Sequence, residues 1–597
     1  MRPCFTWAAR AIRHRRAPTV GVIAAVVALA AWSAWQRWQM LSTSPFPLGV
    51  DGYFYPIELR ALLAHGRLAY PASPLAFYLL APFAAVTDPI TGAKLGAAVL
   101  GAAIAAPAYG VGARFGGSRG AGLLAAVIAT TSVGSAYLTV EFVKNSIGLT
   151  VALTALWLVL GALDRPGQER IAAAIAGLVA AYATHKMAAA IVGVVAIPAV
   201  IAAASRHGAL RGRRLFYAIG GLVGLAALVL ALGALAPQRL LSAADLALLA
   251  DLTSATPHWT APALVVPKGA LALGHDALIG GLLAVVVLVA SALRPKLASR
   301  STSPPTTAAS PAPATPAAPA TAASPAPATP ASPETTASPA PATPAAPATA
   351  SPAPATPAAP ATTASPAPAT PAAPAASTTA SPAASTSPRI PAAGWPILMM
   401  AIAIGLPFLA VTDPQGLGFR LRLAAFVPAA LTAALVARAV LAPYVHRDRL
   451  LAALALVLAV ARQPGPRLPG VVVTHPALVA AAQALNGHVP AGATLIVPER
   501  HIAFLVAWYT GAEVALRPEQ VPPARRYRLL PLHFIGDGSA LDRALLAARA
   551  EPGLEPPLGV HPLHPDGLVL VAEPTWAWIV ARLPAGDRAR LAAWPTL

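Results

Sequence analysis

Residues 45–74 read PFPLGVDGYFYPIELRALLAHGRLAYPASP, and the fold and the function of this chain depend on this stretch. It follows the first long apolar segment and places one carboxylate, Asp51, among aromatic side chains. The segment IELRALL, residues 57–63, is amphipathic, so we expect a helix that lies on a membrane surface without crossing it. An acidic residue at the rim of a membrane bundle is costly unless it has a function. We therefore expect the rest of the chain to hold Asp51 in place.

The composition indicates a protein that crosses a membrane many times. Of the 597 residues, 56% are hydrophobic and only 11% are charged, and the mean hydropathy is +0.63. No soluble domain of this length carries so little charge. The expected fold is a polytopic α-helical membrane protein with about 11–12 transmembrane helices, because many apolar runs are long enough for a bilayer. These runs lie near 20–40, 92–112, 119–137, 145–163, 170–184, 187–204, 215–236, 277–293, 395–411, 422–441 and 449–461, whereas 75–86 is short and is expected to dip into the interface.

The net charge of +20 does not indicate nucleic-acid binding. The basic residues cluster at the ends of apolar segments, as in residues 10–16 and 206–214, which is typical of cytoplasmic loops. We expect a multi-pass protein of the plasma (inner) membrane, in contact with membrane lipids, with residues 45–74 on the extracytoplasmic face. The single cysteine, Cys4, excludes an intrachain disulfide.

The chain divides into four predicted parts. Residues 1–299 form an N-terminal transmembrane bundle, and residues 389–462 add the last transmembrane helices. Between them, 300–388 repeats units such as SPAPATPAAPAT, which cannot bury a core, so a disordered linker is expected. Residues 463–597 have a soluble-like composition and are predicted to form a small extracytoplasmic α/β domain.

The α/β prediction rests on alternating strand-like and helix-like segments. The strands are expected at 470–476, 493–499 and 526–535, and the helices at 477–487 and 501–511, which end on Gly487 and Gly511. The two histidines of HPLHP, His561 and His564, are interpreted as part of a loop and not as zinc ligands.

Three groups of polar residues are predicted to share the extracytoplasmic face. They are Asp51, Tyr53, Tyr55 and Glu58; then Glu141, Lys144 and Asn145; and then Arg420 and Arg422. Taken singly, each group has a plain structural explanation, such as a helix cap for Asp51 or snorkelling for the arginines. Together they place a carboxylate opposite cationic groups, which is what transfer from a phosphate-linked donor requires.

The segment GVDGYFYPIELRALLAHGRLAYPASPLAFYLL, residues 49–80, resembles the first outer loop of the GT-C superfamily of polyprenyl-phosphate-sugar-dependent membrane glycosyltransferases. In that family an acidic residue follows the first span, and a surface helix ending in Gly precedes a Pro-x-Leu-x-Tyr-like entry to the next apolar segment. Here the acid is Asp51 and the entry is PLAFY, residues 74–78. The resemblance covers roughly residues 20–165, with a weaker similarity at FRLRLAAFVPAALTAALVAR, residues 419–438.

The resemblance implies transfer of a sugar from a polyprenyl-phosphate-linked donor to a lipid, glycan or protein acceptor. Asp51 would accept the acceptor proton as general base, and Arg420 and Arg422 would bind the leaving phosphate. The other residues expected to bind substrate are Tyr53, Tyr55, Glu58, Glu141, Lys144, His185 and Lys186. Many family members carry paired acids in this loop, whereas Gly52 follows Asp51 here. A single acid fits a metal-independent member better, so no cofactor is expected, although a divalent cation is possible.

Two alternatives from other classes stay open: a transporter of lipid-linked glycans and a non-catalytic assembly scaffold. Transporters more often have discontinuous helices and charges near the membrane midplane. The predicted spans contain few charged residues, mainly Lys94 near one end. This distribution favours a site at the membrane surface over a path through the bundle.

Overall fold

A computed structural model of the chain describes residues 3–206, 268–301, 390–405, 417–462, 471–497, 500–515, 521–531, 539–559 and 567–592, together with 464–465 and 468. Residues 1–298 and 387–597 form one compact unit, and residues 299–386 form another. The predicted linker 300–388, the predicted span 215–236 and the HPLHP histidines lie essentially or wholly outside the described residues.

The first part of the compact unit is built from helices, in agreement with the predicted fold class. In chain order they are α1 (Pro3–Leu41), α2 (Phe54–His65), α3 (Leu75–Val86), α4 (Pro89–Ala102), α5 (Ala105–Gly116), α6 (Arg119–Thr131), α7 (Val133–Glu141), α8 (Val143–Asp164), α9 (Gln168–Thr184), α10 (Lys186–Arg206), α11 (Lys268–Ser301), α12 (Gly394–Gly405), α13 (Leu417–Leu423), α14 (Phe426–Ala439) and α15 (Arg447–Ala461).

Several of these helices are long and apolar enough to cross a membrane. Within the described residues five segments meet both conditions, namely Val20–Leu41, Pro89–Gly116, Val143–Asp164, Lys186–Ser205 and His275–Leu293, and α6 with α7 adds a sixth if the bent pair counts as one span. This number is lower than the predicted 11–12. Three further predicted spans that lie in the described residues form shorter helices: α9 has 17 residues, α14 has 14 and α15 has 15.

Helices α6 and α7 meet at a bend of 46°. The hydroxyls of Thr130 and Thr131 donate back to carbonyls one turn earlier, on Ala126 and Val127, at 2.8 Å each. Such bonds compete with the helical backbone and bend helices. Ser132 then takes an extended conformation, and its hydroxyl accepts the amide of Ser135 to cap α7. Thr130, Thr131 and Ser132 therefore end one helix, α6, and begin the next, α7.

The helices pack closely because small residues line their contacts. Gly92 on α4 lies so near α3 that a Cβ atom there would come within 2.3 Å of the Cα of Ala84. α3 and α4 therefore form a tight antiparallel pair. Since α3 has only 12 residues, it does not have the length of a span, as predicted for 75–86.

The C-terminal part is an α/β domain, as predicted. Its elements are α16 (Pro476–Ala484), β1 (Thr494–Ile496), α17 (Arg500–Thr510), β2 (Glu513–Val514), β3 (Arg526–Pro531), α18 (Ala540–Ala550), β4 (Leu558–Gly559), β5 (Leu568–Ala572), α19 (Glu573–Arg582) and α20 (Ala585–Ala592). The strand order is β2-β1-β3-β5-β4, with β1 parallel to β2 and β3, and with β5 antiparallel to β3 and β4.

Side chains alternate across this sheet and give the domain two cores. Leu529, Leu568 and Leu570 belong to the core that contains α16 and α17, whereas Leu530 and Val569 belong to the core that contains α18 and α19. The predicted strand at 470–476 is not part of the sheet. Its only described pairing is an isolated antiparallel bridge to the 45–74 loop, because the chain there runs along the helical part and not beside β1.

Helix α2 is enclosed by protein and does not lie on a membrane surface, which corrects the sequence interpretation. Most of its first three turns are buried, and it packs on α3 and α4 on one side and on α17 on the other. The ring of Phe54 lies 5.0 Å from that of Phe504, and Arg60 lies 4.2 Å from the ring of Trp508 and donates to its carbonyl at 3.1 Å. Most of its apolar residues are thus buried between α3, α4 and the α/β domain, whereas Leu63 is exposed.

Candidate functional site

Asp51 lies in a tight turn that is held by backbone hydrogen bonds. Leu48 pairs with Val473 in the antiparallel bridge, and the amide of Gly49 donates to the carbonyl of Val472 at 2.8 Å. Gly49 has φ +87°, a conformation that suits glycine. The side chain of Asp51 follows directly and is half-buried. The turn therefore fixes Asp51 between the helical part and the α/β domain.

Asp51 does not occupy the N-cap position of α2. The helix begins at Phe54, and its N-cap position is Tyr53, which makes no side-chain capping bond. Asp51 therefore lies two residues before the position that an N-cap residue takes.

A second carboxylate, that of Glu141, comes to the same turn from the end of α7. Its Oε1 accepts the amide of Val50 at 2.7 Å, and only 3% of the residue is exposed. The charge of Asp51 acts on it, and the amide of Val472 also faces it. A Cβ atom at Gly49 would come within 2.9 Å of Oε2. Two acids that lie far apart in the sequence are thus neighbours, although Asp51 is followed in the sequence by Gly52 and not by a second acid.

Glu58 serves the fold and does not face an open site. It is fully buried, and its carboxylate accepts the amides of Ala69 at 2.7 Å and Tyr70 at 3.0 Å. Burial raises the pKa of Glu58 to about 7, and the two amide bonds and the charge of Lys144 oppose this shift. Its predicted part in substrate binding has no support in this placement.

Tyr53 and Tyr55 also point into protein. The ring of Tyr53 lies 6.5 Å from that of Trp508 and 6.1 Å from that of Tyr509, and burial raises the pKa of its hydroxyl. The hydroxyl of Tyr55 accepts the backbone amide of Lys144 at 3.2 Å. These residues join α2 to its neighbours on both sides.

Two of the predicted cations lie next to aromatic rings. The ammonium of Lys144 lies 4.8 Å from the ring centre of Phe54, and the guanidinium of Arg420 lies 5.1 Å from that of Phe142. Phe142 is the residue between α7 and α8, directly after Glu141. Contacts between α13 and α7 therefore bring Arg420 beside Phe142, the residue that follows Glu141.

Arg422, His185 and Lys186 are half-buried nearby in the helical part. α13, which carries Arg422, packs on α7. His185 is the residue between α9 and α10, and it packs on α8. A Cβ atom added at Gly148 on α8 would lie 2.6 Å from the Cβ of His185. Gly148 lies one helical turn after Lys144 on α8.

Two buried polar clusters were not found from the sequence. Arg37 on α1 is 1% exposed and donates to Thr139 at 3.1 Å and to Ser135 at 2.7 Å. Asp276, within the fifth apolar segment, accepts hydrogen bonds from Ser132 and Arg462. The sequence signal that could have identified both clusters is a charged residue inside an apolar segment. Such a residue is costly in a membrane and usually has a functional or structural role.

These clusters correct the expectation that the spans contain few charged residues, mainly Lys94. Lys94 binds the carbonyls of Ser44 and Pro45, at 2.7 and 3.2 Å, at the end of α1. Arg37 and Asp276, by contrast, lie at the α6–α7 break. Because α6 has 13 residues, it rises about 20 Å. This length is shorter than the thickness of a hydrocarbon layer, which is about 30 Å.

Within the described part of the chain, no group of three or more His, Cys, Asp or Glu side chains is arranged to hold a metal ion. The acids at the turn number two, Asp51 and Glu141. Their arrangement can accept a proton and can attract a cationic side chain. Comparison with protein-family models, with curated proteins and with solved structures gave no match, so this geometry stands on its own.

Proposed function

We propose that the protein is a membrane glycosyltransferase that transfers a sugar from a polyprenyl-phosphate-linked donor to an acceptor hydroxyl. The observation that carries this proposal is the placement of Asp51. It is half-buried, lies outside the N-cap position of α2, and directly follows a turn in which Leu48 and Gly49 pair with Val473 and Val472. The proposed fold class is that of the GT-C superfamily.

In the proposed reaction Asp51 accepts the proton of the acceptor hydroxyl. The acceptor oxygen bonds to the anomeric carbon of the donor sugar as the bond between that carbon and the phosphate oxygen breaks. The negative charge that develops on the leaving polyprenyl phosphate requires cations, and Arg420 and Arg422 are the proposed ligands. Glu141 positions the turn through its bond to Val50. The cluster of arginines at the other end of the helices supports an extracytoplasmic site in the plasma membrane.

A transporter of lipid-linked glycans is the second candidate, and one observation favours it. α6 and α7 form a discontinuous helix whose break is flanked by Arg37 and Asp276. Broken helices with buried charges are typical of transporters. Transfer of a sugar proceeds in detergent, whereas transport requires a sealed membrane, so the two functions are separable in one preparation.

The substitution Asp51→Asn tests the catalytic proposal. It keeps the size and polarity of the side chain but removes the carboxylate, so sugar transfer from a polyprenyl-phosphate donor is expected to fall about 10²–10⁴-fold. The matched control is Asp88→Asn. Asp88 caps α4 by accepting the amides of Ile90 and Thr91, and asparagine is nearly as good a cap, so this variant should keep its activity. Full transfer by the Asp51 variant at normal abundance would contradict the proposal.

A further inference from the structure

Two guanidinium groups meet at the turn that follows the span formed by α4 and α5. Arg438 is in the last turn of α14, and Arg447 is the first residue of α15. Both reach Gly117, the residue after the end of α5. Nη2 of Arg447 donates to the carbonyl of Gly117 at 3.1 Å, and a Cβ atom added at Gly117 would lie 3.9 Å from Nη1 of Arg438. The two positive charges therefore lie beside the same turn.

The backbones of the helices fix the positions of these arginines. A Cβ atom added at Gly116 on α5 would lie 3.0 Å from the carbonyl oxygen of Ala434 on α14. One added at Gly120 on α6 would lie 2.7 Å from the carbonyl oxygen of Asp448 on α15. Glycines thus let α14 and α15 approach the α5–α6 turn closely, one helix on each side of it.

Neither guanidinium has an anionic partner among the described residues. Arg438 is half-buried and makes no hydrogen bond or ion pair there, and the acceptor of Arg447 is a neutral carbonyl. The acid at the end of α8, Asp164, pairs with Arg114, and none of the described ion pairs involves Asp448. A cation stabilises the last turn of a helix, as in α14, but not the first turn, as in α15. Helix stability therefore does not explain Arg447.

The outer surface of α15 is apolar and continues from Arg447. Leu450, Leu454 and Val457 are exposed, and they follow Arg447 by about one, two and three turns on the same side of the helix. We call these three residues the α15 face. The neighbouring side of the helix, which carries Leu451, packs on α6. A positively charged end and an apolar surface are thus joined on one helix.

We propose that the two arginines and the α15 face form a binding site for an anionic phospholipid. The phosphate of the lipid lies against the guanidiniums of Arg438 and Arg447, and one hydrocarbon chain lies along the α15 face. A guanidinium matches phosphate oxygens with parallel hydrogen bonds. Basic sites between helices at a membrane surface bind anionic headgroups in the same way. This inference concerns the turn at Gly117 and does not depend on sugar transfer.

The α15 face distinguishes a lipid from a free phosphate ion. An inorganic anion would use the arginines but would leave the apolar residues below them uncovered, whereas a phospholipid covers both. The arginines, in turn, distinguish a selective site from the general contact of a helix with the bilayer. An apolar surface alone accepts a chain of any phospholipid, but two cations without a carboxylate favour a headgroup with net negative charge.

Native mass spectrometry of the full chain in neutral detergent tests this selectivity. The ligands are phosphatidylglycerol, which is anionic, and phosphatidylcholine with the same chains, which has no net charge. Each arginine near an anionic surface contributes about fivefold in affinity, so phosphatidylglycerol should bind about 30-fold more tightly. Equal affinity for the two lipids would overturn the inference.

Glutamine variants locate the site. The double variant Arg438→Gln with Arg447→Gln should bind phosphatidylglycerol as weakly as phosphatidylcholine. The matched control, Arg165→Gln with Arg170→Gln, removes the same charge from exposed residues at the α8–α9 junction and should keep the preference. An unchanged preference in the first variant, or an equal loss in the control, would overturn the inference.

A single variant keeps the test valid if the double variant does not fold. Arg438→Gln removes no described hydrogen bond and should weaken the binding of phosphatidylglycerol about fivefold. Unchanged binding by this variant would also contradict the site.

Inorganic phosphate separates the two sources of the anion. Added in excess over the lipid at constant ionic strength, it should leave phosphatidylglycerol bound to the unaltered protein, because it cannot occupy the α15 face. Displacement of the lipid by phosphate would show that the arginines bind a free anion, and it would overturn the lipid site.

Discussion

Arg37 is a full positive charge that is bound only by neutral oxygens in its described surroundings. Its guanidinium donates to the hydroxyls of Ser33, Ser135 and Thr139 and to the carbonyl of Thr130. A planar group with five donors matches such a set, whereas an ammonium cannot reach it from one point. The residue ties α1 to the carbonyl end of α6 and to α7, so it stabilises the break in the helix.

Arg37→Lys should therefore destabilise the protein although the charge is kept. Hydrogen bonds to a charged group contribute about 1.5–3 kcal/mol each, and at least one of them would be lost. The expected result is a lower temperature of thermal unfolding in detergent. The control is Arg67→Lys, because Arg67 is exposed in the 66–74 loop. Equal unfolding temperatures for the two variants would show that the guanidinium of Arg37 adds nothing.

At the scale of residues the sequence predicted the position of Asp51 but not the roles of its neighbours. Asp51 stands out because an acid beside an apolar segment is rare. Glu58 reads as the polar side of an amphipathic helix, and nothing in that helix pattern indicates that its carboxylate accepts the amides of Ala69 and Tyr70. Arg37 carries no such signal, because it stands among Trp32, Trp35 and Trp38, and tryptophans near the end of an apolar segment are typical of a membrane interface.

At the scale of elements, α7 is attached at its first turn. Ser132 precedes α7 and donates to Asp276 on α11, which also pairs with Arg462 at the end of α15. The side chain of Asp276 is 5% exposed and that of Arg462 is 24% exposed. One carboxylate thus joins three helices at the bend, and α7 carries Glu141 at its other end.

Asp276→Asn should be strongly destabilising, because it leaves the partly buried charge of Arg462 without its partner. Breaking such a pair from one side typically costs about 3–5 kcal/mol. The exchanged pair Asp276→Arg with Arg462→Asp should recover part of this loss in a double-mutant cycle measured by thermal unfolding.

The control for this experiment is the ion pair between Arg114 and Asp164, whose side chains are 27% and 60% exposed. Exposed pairs contribute about 0–1 kcal/mol, so Asp164→Asn should have little effect. If Asp276→Asn lowers the stability no more than Asp164→Asn does, the ion pair at the bend does not stabilise the fold.

The boundaries of helices were predicted best where a local residue, such as a glycine, ends the helix. Gly487 and Gly511 have φ +82° and +70° and follow α16 and α17, as expected for residues that end helices. The strand at 470–476 was predicted from β-branched residues, but a partner strand is chosen by tertiary contacts. In the same way, the break at Ser132 lies inside an apolar run that reads as one continuous span.

At the scale of the whole molecule, the described helices give the protein two distinct ends. One end carries the Asp51 turn and α2. At the other end Arg447 donates to the carbonyl of Gly117 at 3.1 Å, between α5 and α6. α4 and α5 run from the first end to the second, which is consistent with a segment of 28 residues that spans the membrane.

Labelling of single cysteines should show these ends on opposite sides of the membrane. In a Cys4→Ser background, His65→Cys is expected to react from outside intact cells, and Val445→Cys only after the membrane is opened. Val445 is 91% exposed, and His65 is exposed at the end of α2. This expected orientation is based on the distribution of arginines along the chain, which is typical of cytoplasmic loops. Reaction of both cysteines from one side would contradict the arrangement of the helices, and the reverse pattern would contradict only the orientation.

The pairing around Asp51 also determines when, during synthesis, the turn is completed. The hydroxyl of Thr474 donates to the carbonyl of Pro47, and these residues are 427 positions apart. At about 5–20 residues per second, the ribosome needs roughly 20–90 s to travel between them. During that time the first helices have already left the ribosome, while α2 and the 66–74 loop lack their contacts with α17. A nascent chain therefore carries an unfinished turn at Asp51 until Thr474 has been made.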